Sequence, residues 1–330
     1  MKTNQVWYLT AAGQVALLEE PLAALAADEV LVEVEACGLC MLDYKLFTGQ
    51  IVPNNPPYPH PHGHEAVGRV AQVGSAVTYC RPGDRVGAIA GFALARHVRC
   101  KERQVARLPA EGDPAVLITE PLTCVVQFVN NLQFSPGQTV AMFGLGYMGL
   151  LILQMLPRFL GRVFVVEPRT ALHALAHEFG ADECLDPTRC DAAAAILQAC
   201  PAGVDIAIDA CGGIKSVCEA TPRLLKRSSG PGGSQWGFFS SPAHPVRFEV
   251  DIDEAVARGI RFVNSSSRDR LADHRTAATL LAKGAVRQER LITHRFGFDQ
   301  VPTALARMAE RPDDWVKGVM VAHETRSTRL

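Results

Sequence analysis

Six residues, Gly144-Leu145-Gly146-Tyr147-Met148-Gly149, limit what this chain can fold into more than any others. They follow an apolar run, Gln138-Thr139-Val140-Ala141-Met142-Phe143, and open a segment, 147–159, with a helical pattern. In a strand–turn–helix of this kind each glycine has its own reason. The first makes the tight turn, the second lets the backbone approach a pyrophosphate, and the third lets helix and strand pack closely. The free N–H groups of the helix N-terminus then face the phosphates. Glu167 closes the next apolar run, Gly161-Arg162-Val163-Phe164-Val165-Val166-Glu167. An acid there hydrogen-bonds a ribose 2′-hydroxyl and repels a 2′-phosphate, which favours NAD over NADP; Arg169 nearby works against that preference. The candidate cofactor residues are thus Gly144, Leu145, Gly146, Tyr147, Met148, Gly149, Glu167 and Arg169.

The surrounding pattern agrees. Apolar strand runs at 138–143, 161–167 and 204–209 alternate with helical segments, one of which, 170–179, ends at Gly180, a good C-cap. The spacing predicts a doubly wound parallel sheet, preceded by a helical stretch at 114–132. Before it the chain reads differently. Val30-Leu31-Val32-Glu33-Val34-Glu35-Ala36 alternates at period two, 49–63 is a proline-rich loop, and 66–108 returns to strands and turns. The tail from about 291 is again mixed strand and helix, and 228–233 is a turn. The fold class is α/β: a Rossmann domain, 119–290, inserted into a β-rich domain made of 1–118 and 291–330.

Composition narrows the classes. Two domains suit 330 residues, and 48% hydrophobic with 20% charged residues supports a sizeable core. A net charge of −1 gives no electrostatic reason for a nucleic-acid or membrane partner. The N-terminal residues lack the apolar stretch of a signal peptide, and no apolar run is long enough to span a bilayer. A cytoplasmic protein is expected, its 10 cysteines mostly reduced and buried.

A second group of residues has the chemistry of a metal site. Cys37 and Asp43 lie in Cys37-Gly38-Leu39-Cys40-Met41-Leu42-Asp43, His64 and Glu65 follow Gly63, and Glu120 begins Glu120-Pro121-Leu122. Thiolate, imidazole and carboxylate are the ligands that a catalytic zinc accepts, three from the protein with one position left open. Spacing alone leaves the plain alternative of a buried cysteine and a hydrogen-bonded histidine.

These motifs, with Pro82-Gly83-Asp84-Arg85-Val86, the glycine loop, Leu291-Ile292-Thr293-His294-Arg295-Phe296 and Trp315-Val316-Lys317, occur in an order that resembles the zinc-containing medium-chain alcohol dehydrogenases. Glu120 makes the site look most like the sorbitol and threonine dehydrogenase branch. The resemblance implies a GroES-like catalytic domain built from both chain ends, with a Rossmann domain between. It implies Cys37 and His64 as zinc ligands, with Glu65 a ligand or one step removed. Glu120 would bind zinc directly or through its water, and Asp43 would orient the zinc histidine. Lys317 would stand near the cofactor pyrophosphate. The implied partners are NAD, one catalytic zinc, a small alcohol or ketone, and a second copy of the chain in a homodimer or homotetramer.

Two departures stand out. Asp84–Ala93 runs on without the four-cysteine lobe that holds a structural zinc in many relatives, so none is expected here, and Cys80 and Cys100 do not replace it. Leu42 stands where relatives place a serine or threonine that passes on the alcohol proton; Lys45, where relatives often carry histidine, either takes that part or is a solvated lysine contacting the cofactor ribose, the latter being slightly favoured. Cys40 is read as packing, His60 and His62 as solvated loop residues, and His173 with His177 as a surface helix pair. The expected activity is NAD- and zinc-dependent interconversion of a secondary alcohol and its ketone, the alcohol being a polyol, sugar-like or amino-alcohol. Two alternatives stay open: a zinc-free NAD(P)H-dependent enone or quinone reductase, and a non-catalytic NAD-binding homologue.

Overall fold

The computed structural model describes residues 3–53, 57–227, 233–239 and 247–322. Pro56 and most of the turn expected at 228–233 lie outside the described residues. The chain falls into two compact units, Met1–Thr123 with Asp269–Leu330, and Cys124–Arg268. Helix Arg270–Ala282, expected with the nucleotide domain, therefore groups with the first unit. The physical tie is a buried hydrogen bond, 2.7 Å, between His274 Nε2 and Thr119 Oγ1.

The first unit is a β-structure closed by both ends of the chain. Its larger sheet runs Ile292–Gly297, Lys317–Val321, Glu29–Gly38, Glu65–Val73, Arg85–Ile89 and Val105–Arg107, and His97–Lys101 also pairs with Glu29–Gly38. A smaller sheet joins Gln14–Pro21, Thr3–Ala11 and His60–Pro61. Alternation explains the central strand: Val30, Val32 and Val34 enter the core while Glu33 faces out. Helix Val301–Glu310 adds Val301, Ala304, Leu305 and Met308, one face of a 3.6-residue period. Cys80 and Cys100 are buried in the same cluster. Arg85, after its turn, carries its guanidinium into the sheet, with Nε 2.7 Å from Glu35 and Nη1 donating to the Gly112 carbonyl at 3.0 Å.

The second unit is a six-stranded parallel sheet. Its order is Glu183–Leu185, Arg162–Val166, Thr139–Phe143, Ile206–Asp209, Gln235–Phe238, Arg261–Val263. Numbered along the chain that is 3-2-1-4-5-6, the Rossmann order, with its switch point between Thr139–Phe143 and Ile206–Asp209. Helices Tyr147–Met155, His173–Phe179, Ala192–Ala199, Lys215–Leu224 and Ile252–Ala257 provide the crossovers. Sheet residues buried on both faces, such as Val140, Met142, Phe164, Val165 and Ile208, explain the continuous apolar runs. Helix His173–Phe179 ends on Gly180 in the left-handed region, φ 112°.

Candidate functional site

In the first unit a sulfur, an imidazole and a carboxylate converge. Ligating atoms of Cys40, His64 and Glu65 lie within 4.8 Å of one another, the one such group among the described residues. The sulfur in this group is that of Cys40; Cys37, the ligand that the resemblance implied, is not part of it. Cys37 is still within strand Glu29–Gly38, paired with Ala66 on one side and Met320 on the other. It is fully buried in the apolar core, and its Sγ donates to the Gly38 carbonyl at 3.6 Å. Burial first, then the Asp43 and Glu65 carboxylates, push its thiol far above its usual pKa. Cys40 lies beyond the strand end, at the N-cap of helix Met41–Phe47. Burial raises its thiol too, but hydrogen bonding to His64 opposes that rise.

Gly63 and Glu65 are placed by the backbone. Gly63 has φ +82°, and a Cβ on it would stand 2.7 Å from the Leu94 nitrogen, so only glycine fits before His64. Glu65 opens strand Glu65–Val73 opposite Gly38, and its carboxylate occupies the space a Gly38 side chain would fill. Lys317 Nζ lies 2.5 Å from Glu65 Oε2 and donates to the Leu39 carbonyl at 2.9 Å. In its own unit Lys317 is thus committed to Glu65, a partner the resemblance did not suggest. Both side chains are almost fully buried.

Asp43 also differs from expectation. Its imidazole partner is His62, whose Nδ1 lies 3.2 Å from Oδ1. Oδ1 also accepts from Gly63 N at 3.3 Å, and Oδ2 from Cys40 N at 2.8 Å. Asp43 therefore grips the backbone on both sides of the donor set rather than His64 alone. Burial favours the neutral acid, but the His62 hydrogen bond, the charges of His64 and His62, and the Cys40 N–H bring its pKa down to about 2. His62 is no solvated loop residue: it is buried, its backbone held by Trp7 O and Leu94 N.

Acidic and sulfur groups crowd His64. Burial alone would lower His64, yet the Cys40 hydrogen bond and the charges of Asp43, Cys40 and Glu65 carry it up to about 10. Glu120, first residue of helix Glu120–Asn131, is buried but lies outside the compact group. Its Oε1 accepts from Arg270 Nη2 at 3.1 Å. Burial raises its carboxyl, His64 lowers it and Glu65 raises it again. Lys45 is half-buried on helix Met41–Phe47, its ammonium disfavoured by burial and favoured by Cys40. Leu42, 43% exposed on that helix, can carry no proton.

The second unit holds the glycine loop, and the backbone gives each of its three glycines a distinct steric setting. Gly144 has φ +100° and a Cβ on it would press on the Ala210 backbone at 3.0 Å. A Cβ on Gly146 would meet no atom within 4 Å, so space is open above the loop where a pyrophosphate needs it. Gly146 is the N-cap of Tyr147–Met155 with no side-chain cap, leaving first-turn N–H groups for an anion. A methyl on Gly149 would collide with the Gly144 carbonyl oxygen. Gly149→Ala is therefore expected to cost about 1–3 kcal/mol of stability and most of the dinucleotide affinity, read by thermal unfolding and NADH fluorescence titration. Unchanged values in both would show slack in the loop. His173 and His177 each face a backbone carbonyl, Glu167 O at 2.8 Å and Ala181 O at 2.9 Å.

Glu167 is not presented as expected. Its Oε2 accepts from Leu145 N at 2.6 Å and Arg169 Nη2 at 3.3 Å; its Oε1 accepts from Arg169 N at 3.1 Å and Nε at 2.7 Å. Burial would raise its carboxyl, but Arg169 and the Leu145 N–H hold it below the usual range.

Residues 26–113 match the alcohol dehydrogenase GroES-like domain family. Over 333 aligned positions the chain is 26% identical to D-arabitol-phosphate dehydrogenase of Enterococcus avium, covering 90% of this chain and 91% of that one. It is 24% identical to sorbitol dehydrogenase of Bacillus subtilis, covering 91% and 92%. A Sinorhizobium meliloti structure, described as a zinc-binding dehydrogenase and bound to NADP, superposes with a TM-score of 0.86 at 26% identity, covering 97% of this chain and 100% of that one. The chain is thus similar along most of its length to alcohol and polyol dehydrogenases, and its residues 26–113 match the GroES-like domain of that group. Among the described residues no helix is long and apolar enough to cross a membrane.

Proposed function

We propose that the chain interconverts a secondary alcohol and its ketone, with a single divalent zinc held by Cys40, His64 and a carboxylate and a nicotinamide dinucleotide held by the glycine loop. The observation that carries this reading is the convergence of ligating atoms of Cys40, His64 and Glu65 within 4.8 Å of one another. The donor set fits a zinc: one thiolate, one imidazole and carboxylate oxygen, with Glu120 beside it as a further carboxylate. When bound, the metal supplies Lewis-acid polarisation of the substrate oxygen and the dinucleotide accepts the hydride.

The chain's own residues set the conditions. Lys317 anchors Glu65 through a buried ion pair. Asp43 ties Cys40 N to Gly63 N and so fixes the separation of the sulfur from the imidazole. Hydride leaves the carbinol carbon with its electron pair and the hydroxyl proton leaves separately. Leu42 cannot receive that proton; Lys45, on the same helix, takes it in this reading. Glu120 and the polyol dehydrogenases among the relatives support a polyol, sugar-like or amino-alcohol substrate.

Metal analysis of the purified protein, with cofactor reduction against a panel of polyols and amino-alcohols, tests the reading. About one zinc per chain is expected, with turnover that a chelator abolishes and zinc restores. Turnover of an enone or quinone that survives chelation would support the zinc-free reductase instead. Dinucleotide binding without turnover on any class would support the non-catalytic homologue.

A further inference from the structure

We propose that the adenosine end of the cofactor pocket takes a 2′-phosphate and that Arg169, not Glu167, meets the 2′ position. This rests on the dinucleotide reading of the glycine loop and goes beyond it by naming which cofactor the pocket selects.

Topology puts residues 167–169 at that position. Strand Arg162–Val166 lies beside Thr139–Phe143, Val166 pairs with Phe143, and Gly144 N donates to Val166 O at 2.9 Å. The residues that follow Val166 therefore emerge against the glycine loop, where a Rossmann unit reads the adenosine ribose. An acid there selects the unphosphorylated ribose only if its carboxylate has charge and lone pairs to spare.

Glu167 has neither. A carboxylate offers about four acceptor sites. Leu145 N takes one, and Arg169 supplies a backbone N–H and two guanidinium N–H groups for the rest. The pair is neutral in sum, so the repulsion that would exclude a 2′-phosphate is cancelled at its source. Its two members also differ in access. The Glu167 side chain is 4% exposed and that of Arg169 26%. Of the pair, what solvent, and hence a ligand, meets is chiefly the Arg169 side chain, which carries the group suited to a phosphate. His173 keeps the arrangement in place, its Nε2 bonded to the Glu167 carbonyl at 2.8 Å. Glu167 therefore acts as a positioning residue: it orients Arg169 and ties it to the loop through Leu145.

Binding probes test this without metal or turnover. Calorimetric titration compares adenosine 2′,5′-bisphosphate with adenosine 5′-monophosphate at fixed salt. The bisphosphate is expected to bind about ten- to a hundredfold more tightly, the range of one or two charge-assisted hydrogen bonds. Arg169→Gln should erase that advantage and leave the monophosphate within about threefold of the parent, as expected for a contact confined to the 2′ group. Because that change strands the Glu167 charge, the double variant Glu167→Gln/Arg169→Gln keeps the test valid; it should also lose the advantage while its melting temperature shows it folded. Tighter binding of the monophosphate, or an advantage that survives in the folded double variant, overturns the proposal. Binding of neither probe would instead strike at the dinucleotide reading of the loop and remove the proposal with it.

Discussion

Cys40→Ser is expected to lose the bound divalent metal and to lower kcat/KM about a thousandfold, while Cys37→Ser keeps both. A metal's Lewis-acid contribution is several kcal/mol, and each ~1.4 kcal/mol is a factor of ten in rate. Serine is a poor substitute for thiolate at a zinc. Cys37 touches the core and the Gly38 carbonyl, so its loss should appear as instability, about 1–3 kcal/mol for a hydroxyl placed in apolar surroundings. Metal content after gel filtration, set beside the melting temperature, separates the two variants. The reverse pattern, zinc lost from Cys37→Ser and retained by Cys40→Ser, would return the sulfur ligand to the strand and undo the site as built here.

Lys317→Met is expected to destabilise the metal-free protein by about 3 kcal/mol. Removing one partner of a buried ion pair leaves the other charge without compensation, and such losses run to ~3–5 kcal/mol; His64, a nearby cation, offsets part of this one. The double variant Lys317→Met/Glu65→Gln should recover most of the loss, because neither charge is then left alone. Chemical denaturation of the four proteins of that cycle gives the coupling. A single-variant loss below about 1 kcal/mol would mean that Glu65 is held by something other than Lys317.

What the sequence revealed and what it hid divide along one physical line. The glycine loop was legible because each of its glycines answers a local need: a positive φ at Gly144, open space over Gly146, close packing at Gly149. The parallel sheet was legible for the same kind of reason, since strands buried on both faces read as unbroken apolar runs. Cys37 and Cys40 are the same residue type three positions apart, and what separates them is where the strand ends. That depends on pairing with Ala66 and Met320, both remote in sequence. One local signal existed: Asp43 stands three residues after Cys40 and accepts its backbone N–H, the spacing of a helix cap, which places Cys40 outside the strand. His62 carried no such sign. Its backbone is held by Trp7 and Leu94, both remote in sequence, and a histidine between proline and glycine reads as loop. The Glu65–Lys317 pair joins opposite ends of the chain, so no local pattern could announce it. Arg169, by contrast, neutralises Glu167 from two residues away, and that short reach was open to reading from the first.

The most direct measurement is X-ray absorption at the zinc edge on protein loaded with one equivalent of zinc. The expected result is a single sulfur at about 2.3 Å with nitrogen and oxygen donors at about 2.0–2.2 Å, and loss of the sulfur shell in Cys40→Ser. A shell of two or more sulfurs, or a sulfur shell that survives Cys40→Ser, would contradict a metal centre built on Cys40, His64 and Glu65.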